Sequence, residues 1–128
     1  MDVICHGIDL VDCSRIQDLL TRHGRRFLDR VFTLGEQQYS QRHRYRVERL
    51  SGRFAVKEAV MKMLGTGWQN GIAWTDIEVV NDALGRPEVK LSGKVAAVAK
   101  ELGIEQVSVS ITHTSGLAIA SAIALGNK

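Results

Sequence analysis

The stretch from about Arg46 to Leu64 is the longest helical candidate in the chain and constrains the fold most. No proline interrupts it, and Leu50, Phe54 and Met61 form one apolar stripe that Ala59, Val60 and Met63 widen. Gly65-Thr66-Gly67 stops it, as glycine after a helix should. Near the C-terminus the period changes. Val107, Val109 and Ile111 alternate with Ser108, Ser110 and Thr112, which predicts a half-buried strand. Thr114-Ser115-Gly116 turns the chain, and Leu117 to Ala124 returns as the second strand of a hairpin.

The remaining elements fit between these two. Val3 to Ile8 reads as a short strand whose end delivers Asp9. Asp12-Cys13-Ser14 offers capping side chains for a helix through about Thr21, with Ile16, Leu19 and Leu20 on one face. Gly24 breaks that helix, and a short helical turn over Arg25 to Val31 follows. Thr33 is placed to cap another helix around Glu36 to Gln41. Ile77 to Val80 and Glu88 to Leu91 read as strands either side of a turn-rich link. Ser92 caps a helix in which Val95, Val98, Ala99 and Leu102 recur, and Gly103 ends it. The order predicts an α+β fold, with a long helix and shorter helices on one face of a mainly antiparallel sheet.

At 128 residues the chain is expected to form one domain over 1–128, with a core that needs neither disulfides nor a structural metal. Cys5 and Cys13 are too few and too oddly spaced for a disulfide framework or a zinc site. No stretch approaches the roughly 20 apolar residues of a membrane span, and Asp2 stands where a signal peptide carries positive charge. A cytoplasmic location away from membranes is the expectation. Net charge is only +3, but its distribution is uneven. Arg15, Arg22, Arg25, Arg26 and Arg30 form one basic run, and Arg42, Arg44, Arg46, Arg49 and Arg53 a second. Arginine suits bidentate recognition of carboxylate and phosphate, so the runs point to an anionic partner or ligand.

Chemistry concentrates in three places. On the long helix, Glu58 and Lys62 stack at i, i+4, with Arg53 and Lys57 as a second pair beside them. A carboxylate among cations suits a metal with a polyphosphate; the bland reading is a solvated helix face whose ion pair contributes about 0.3 kcal/mol. Asp9 is the second acid, either a hard oxygen ligand for Mg²⁺ or a helix cap. Ser110-Ile111-Thr112-His113-Thr114 offers hydroxyls and an imidazole to a phosphate or nucleotide, unless it is only the wet face of a hairpin.

Gly7-Ile8-Asp9, then Gly52-Arg53-Phe54-Ala55-x-Lys57-Glu58-Ala59-x-x-Lys62-x-x-Gly65-Thr66-Gly67, then Val109-Ser110-Ile111-Thr112-His113-Thr114, in that order, resemble the holo-acyl-carrier-protein synthase family. Asn81 with Leu84-Gly85-Arg86-Pro87 resembles that family's turn before its next strand, and the resemblance covers essentially the whole chain. It implies a Mg²⁺-dependent transfer of 4′-phosphopantetheine from coenzyme A to a serine of apo acyl carrier protein, in service of fatty acid biosynthesis, leaving adenosine 3′,5′-bisphosphate. It implies that Asp9 and Glu58 hold Mg²⁺, that Lys62 meets the pyrophosphate, and that Arg53, Gly65, His113 and Thr114 lie along the coenzyme A, with Arg53 and His113 near its 3′-phosphate or adenosine. It implies that Arg15, Leu19, Arg22, Arg26, Phe27 and Arg30 face the acidic helix of the carrier protein. Larger relatives carry a second acid two residues after the first, where this chain has Val11. That departure puts it in the short class, which assembles as homotrimers with active sites at subunit interfaces.

The nucleophile then belongs to the partner, which agrees with the absence of any nucleophile motif here. Glu58 acting through a metal-bound water is the first candidate for the general base, and a direct carboxylate contact the second. Two other classes compete: a small basic nucleic-acid-binding module, and a non-catalytic trimeric scaffold. Aromatics at only 5% and the lack of an aromatic-interleaved basic strand weigh against nucleic acid.

Overall fold

The computed structural model describes residues 1–42, 44–68 and 71–128. Strand β1 (Asp2–Asp12) leads into helices α1 (Cys13–His23), α2 (Arg25–Val31), α3 (Leu34–Gln41) and α4 (Arg46–Leu64). A 3₁₀ turn at Trp74–Asp76 precedes strands β2 (Ile77–Asn81) and β3 (Pro87–Leu91). Helix α5 (Gly93–Glu101) and the hairpin of β4 (Ile104–Thr114) and β5 (Leu117–Gly126) complete the chain. The pairing is antiparallel throughout, in an α+β arrangement. It divides into two sheets, one of order β1-β5-β4 and one of β2-β3, where the sequence suggested a single sheet.

Local chemistry sets the helix limits. Asp12 accepts from the Ser14 N–H at 2.9 Å and starts α1; Gly24, at φ +50°, ends it. Thr33 and Glu36 form a reciprocal capping box at α3, stabilising its start by about 1 kcal/mol. Gly65 ends α4 in the left-handed region at φ +76°. Ser92 precedes α5 as expected, but its side chain makes no capping bond, and Leu102 falls outside the helix and is exposed. The predicted apolar face of α5 therefore narrows to Val95 and Ala99, with Val98 at its edge.

Two differences from the sequence reading position the site. First, β1 does not stop at Ile8. It runs to Asp12 along β5, so Asp9 is mid-strand, opposite Ala120, rather than at a strand end. Second, α4 is not amphipathic. From Leu50 to Leu64 only Glu58 and Lys62 escape burial. The helix lies across the three-stranded sheet and is enclosed by α1, α3 and β2. Ala118, Ala120, Ala122 and Ala124 present small side chains to it from β5. Gly7 lets β1 touch it directly: a Cβ there would collide with the Ala59 carbonyl oxygen and stand 2.7 Å from the Met63 nitrogen.

Burying α4 takes Lys57 and Arg53 into the interior. Lys57 is 0% exposed, and its ammonium pairs with Glu36 Oε1 at 2.8 Å. It also donates to the Trp74 and Ile77 carbonyls, so all three of its hydrogens are used. Glu36 in turn accepts from the Thr33 N–H through Oε1 and from the Val79 N–H through Oε2. This network ties α3 and β2 to α4. Lys57 therefore does not face a phosphate: it lies about 100° around the helix from Glu58, on the side covered by α3 and β2.

Candidate active site

Strand parity turns Gly7, Asp9 and Val11 towards α4, and Ile8 and Leu10 away from it. The close approach at Gly7 therefore delivers the Asp9 carboxylate to the two positions, Glu58 and Lys62, that stay open between Leu50 and Leu64 of α4. There Lys62 Nζ donates to Asp9 Oδ1 at 2.9 Å and to the Ile8 carbonyl at 3.2 Å. The ammonium that sequence spacing paired with Glu58 is thus shared with a strand, which raises its pKa above the ordinary lysine value. Asp9 is the more enclosed partner, at 14% side-chain exposure against 57% for Lys62.

Glu58 completes the group. Burial, and then the negative charge of Asp9, push its pKa up; the Arg15 guanidinium, the Trp68 indole N–H and Lys62 oppose that rise. Arg15 reaches this position from α1 across the Phe54 ring, with its guanidinium carbon 5.2 Å from the ring centroid. Neither Arg15's reach to the acids nor the contribution of Trp68 was legible in the sequence. Trp68 stacks on Trp74, with centroids 3.8 Å apart, and Trp74 stacks on Phe54 at 5.0 Å.

Two mutually repelling carboxylates on rigid elements form a hard oxygen donor set. Mg²⁺ needs little more from a protein, since it takes one or two carboxylates and fills its other positions with water and phosphate oxygens. Among the described residues no group of three or more His, Cys, Asp or Glu side chains offers a fuller metal cage. The residues present fit Mg²⁺.

A second recess opens at the other end of α4. Arg49, Gly52, Arg53, Asn81, Gly85 and His113 line it. His113 Nε2 lies 2.9 Å from the Glu48 carbonyl, a bond that requires a hydrogen on Nε2, and the missing side chain at Gly52 makes room for the ring. Arg53 is only 3% exposed. Its guanidinium lies 4.1 Å from the Tyr39 ring centroid and donates to Asn81 Oδ1, so it forms a wall of the recess. The structure does not bring Thr114 here. Thr114 ends β4 on the parity opposite to Ile111 and His113, and Gly65 is a helix terminator one turn past Lys62.

Of the basic residues assigned to a partner surface, Arg26 and Arg30 line a shared groove with Leu19, His23 and Phe27. Phe27 is mostly buried, packed edge-on against Phe32, so it forms the groove floor. Arg22 turns to Asp18 at 3.1 Å. Arg25 faces elsewhere, towards Asp29 and Gln37.

The profile of the 4′-phosphopantetheinyl transferase superfamily matches residues 6–120. The holo-[acyl-carrier-protein] synthase of Solibacter usitatus is 42% identical over 121 residues, covering 94% of this chain and 97% of its own. The crystal structure of the Neisseria meningitidis holo-[acyl-carrier-protein] synthase superposes with a TM-score of 0.88 at 31% identity, covering 97% of this chain and 99% of that one. The Helicobacter pylori synthase, solved in complex with coenzyme A, superposes with a TM-score of 0.83 at 28% identity over 94% of this chain and 99% of that one. The chain belongs to the holo-[acyl-carrier-protein] synthase family of the 4′-phosphopantetheinyl transferase superfamily, and it is an enzyme of that kind.

Proposed function

We propose that this chain transfers 4′-phosphopantetheine from coenzyme A to a serine of apo acyl carrier protein, with Mg²⁺, in the cytoplasm and for fatty acid biosynthesis. One observation carries the reading. The long helix is buried from Leu50 to Leu64 except at Glu58 and Lys62, and those two side chains gather with Asp9. A fold that hides most of a helix and leaves open one acid and one cation, opposite a second acid, suits a metal-assisted reaction at a polyphosphate.

Asp9 and Glu58 would hold Mg²⁺, which when bound neutralises charge on the pyrophosphate oxygens. Lys62, released from Asp9, offsets the charge that develops on the phosphoryl oxygens. The serine oxygen of the partner forms a bond to the β-phosphorus of coenzyme A, and the bond from that phosphorus to the bridging oxygen breaks. Adenosine 3′,5′-bisphosphate leaves with the bonding electrons. Glu58, whose pKa is raised, accepts the serine proton directly or through a water. Arg53 and His113, in the recess at the far end of α4, are assigned to the 3′-phosphate or adenosine. Gly65 lets the chain turn beside Lys62, where a phosphate can approach backbone. Thr114 faces away from its own recess, so any role with coenzyme A requires a site completed by a neighbouring copy.

The outward face of the three-stranded sheet supports such an assembly. Ile8 and Leu10 on β1 are 62% and 58% exposed, and Ile123 on β5 lies on the same face. Covering those side chains favours the homotrimer, with residues 1–128 as one domain per copy. Light scattering on the purified protein reads the trimer.

The deciding experiment is mass spectrometry of apo acyl carrier protein incubated with coenzyme A, Mg²⁺ and this chain. A gain of one phosphopantetheine group, abolished by EDTA, is the expected result; no gain refutes the reading. The groove of Leu19, His23, Arg26, Phe27 and Arg30 gives a second expectation. Arg26→Glu with Arg30→Glu raises KM for the acidic partner roughly 10-fold or more, because cationic rims steer such encounters. KM for coenzyme A stays constant, and added salt mimics the substitution over a Debye length of about 8 Å. A carrier-protein KM indifferent to both shows that these arginines serve only solubility. Arg15 is left out of the test because it faces Glu58.

A further inference from the structure

Arg49, Arg53 and His113 line the recess at the far end of α4, and among the described residues no acid does. Arg53 is only 3% exposed, yet no carboxylate among the described residues forms an ion pair with it. Buried charges ordinarily have a counter-charge. Glu36, whose charge reaches Arg53 through the interior, is already held by Lys57 at 2.8 Å. Arg53 rests instead on the face of the Tyr39 ring and donates to Asn81 Oδ1. Its Nε–H is buried with no hydrogen-bond partner among the described residues. Asn81 closes β2, and the two ends of its amide have different partners. Oδ1 accepts from Arg53, while Nδ2 donates to the Gly85 carbonyl at 2.9 Å across the turn to β3. That orientation is forced, since a guanidinium only donates and a carbonyl only accepts. The acid next in the chain, Asp82, serves the turn itself: its Oδ1 accepts from the Leu84 and Arg86 N–H groups at 2.9 Å. A carboxylate thus stands where backbone donors need one, and a neutral amide of nearly the same size stands against the guanidinium.

We infer that Asn81 is a specificity-determining residue: it fixes Arg53 as a wall of the recess without neutralising it, so that the guanidinium charge is kept for the 3′-phosphate of coenzyme A. The inference rests on the reading under Proposed function that the recess takes that end of coenzyme A, and narrows it to the phosphate rather than the adenosine. A carboxylate at position 81 would grip the guanidinium in a charge-assisted pair and leave it little net charge for a ligand. The amide contributes an ordinary hydrogen bond and no charge. Its second bond, to Gly85, holds the turn that closes the recess on the other side.

The test sets charge against shape. Asn81→Asp keeps the acceptor that faces Arg53 and almost the same volume; Asn81→Ala removes both bonds and adds no charge. Coenzyme A and 3′-dephospho-coenzyme A are titrated by calorimetry into the full chain with Mg²⁺, for the unaltered protein and both variants, and each thermal midpoint is recorded. The expected result is a Kd for coenzyme A raised at least about 10-fold in Asn81→Asp, and raised less in Asn81→Ala. The Kd for the dephospho form stays nearly constant in Asn81→Asp, and its thermal midpoint is no lower than that of Asn81→Ala. A residue with only a structural role gives the reverse order, because aspartate is the closer mimic of asparagine. A coenzyme A Kd no higher in Asn81→Asp than in Asn81→Ala, equal losses for the two coenzymes, or an Asn81→Asp chain less stable than Asn81→Ala overturns the inference. An unaltered chain that binds both coenzymes equally removes the 3′-phosphate from the recess, and this inference with it, while the transfer reaction stands. One that binds neither refutes the proposed function as well.

Discussion

Asp9→Asn and Glu58→Gln are each expected to lower transfer by about 10²-fold or more while the protein stays folded. Both changes keep the shape of the side chain and remove its charge. Asp9 is 14% exposed and Glu58 half-buried, so neither substitution opens a cavity. The loss arises because Mg²⁺ draws on very few protein ligands, so one missing carboxylate leaves the ion loosely held. Added Mg²⁺ should recover part of the rate in either variant, as it would not if the residues acted only on the fold. For Asp9→Asn a second effect enters, since Lys62 loses its charged partner 2.9 Å away and must find another. Rates measured across a Mg²⁺ series, with circular dichroism as the check on folding, decide the matter. A folded Asp9→Asn, Glu58→Gln double variant with unaltered turnover removes the metal from this site.

Lys57→Ala has the largest expected effect on stability, a loss of about 3–5 kcal/mol. The single change leaves Glu36 ionised in the interior without its counter-charge, and releases the Trp74 and Ile77 carbonyls. Burial pushes the Lys57 pKa down, and the Glu36 carboxylate works against that shift, so the charged pair persists only as a pair. The companion variant Glu36→Gln with Lys57→Met removes both charges and fills similar volume. It should recover a large part of the loss, because neutral replacement of a whole buried pair is often tolerated. Urea midpoints of the single and double variants measure the difference. A loss below about 1 kcal/mol for Lys57→Ala contradicts the interior role. A KM for coenzyme A that is unchanged in the double variant separates Lys57 from phosphate binding, which its place among the cations around Glu58 had suggested.

The parts legible in the sequence are those governed by neighbours in the chain. Gly24 and Gly65 ended helices where predicted, Thr33 and Asp12 started them, and the β4–β5 hairpin followed from its period and turn. The gathering of Asp9, Glu58 and Lys62 was implied by the resemblance to known synthases rather than by periodicity. What stayed hidden depends on distant partners. The extent of β1 was obscured because its apolar Ile8 and Leu10 face outward while the acid Asp9 faces the helix, the reverse of the usual alternation. The depth of Arg53 and Lys57 depends on Asn81 and Glu36, on other elements, and no spacing within α4 announces them. The short 3₁₀ turn that carries Trp74 has no period to detect.

Gly7 also acts as a gauge. Because it has no side chain, β1 rests on the backbone of α4 at Ala59 and Met63, and Asp9 stands two residues further along that same strand. The spacing of the two backbones that carry Asp9 and Glu58 is thus set by contact between main chains, which are far less compressible than a pair of flexible side chains. Mg²⁺ takes its oxygens at 2.0–2.1 Å and Ca²⁺ at 2.3–2.6 Å, so if the proposed Mg²⁺ sits between Asp9 and Glu58, this contact bears on which ion fits there. A methyl group at position 7 would act as a shim, lifting the strand that carries Asp9 off the helix that carries Glu58.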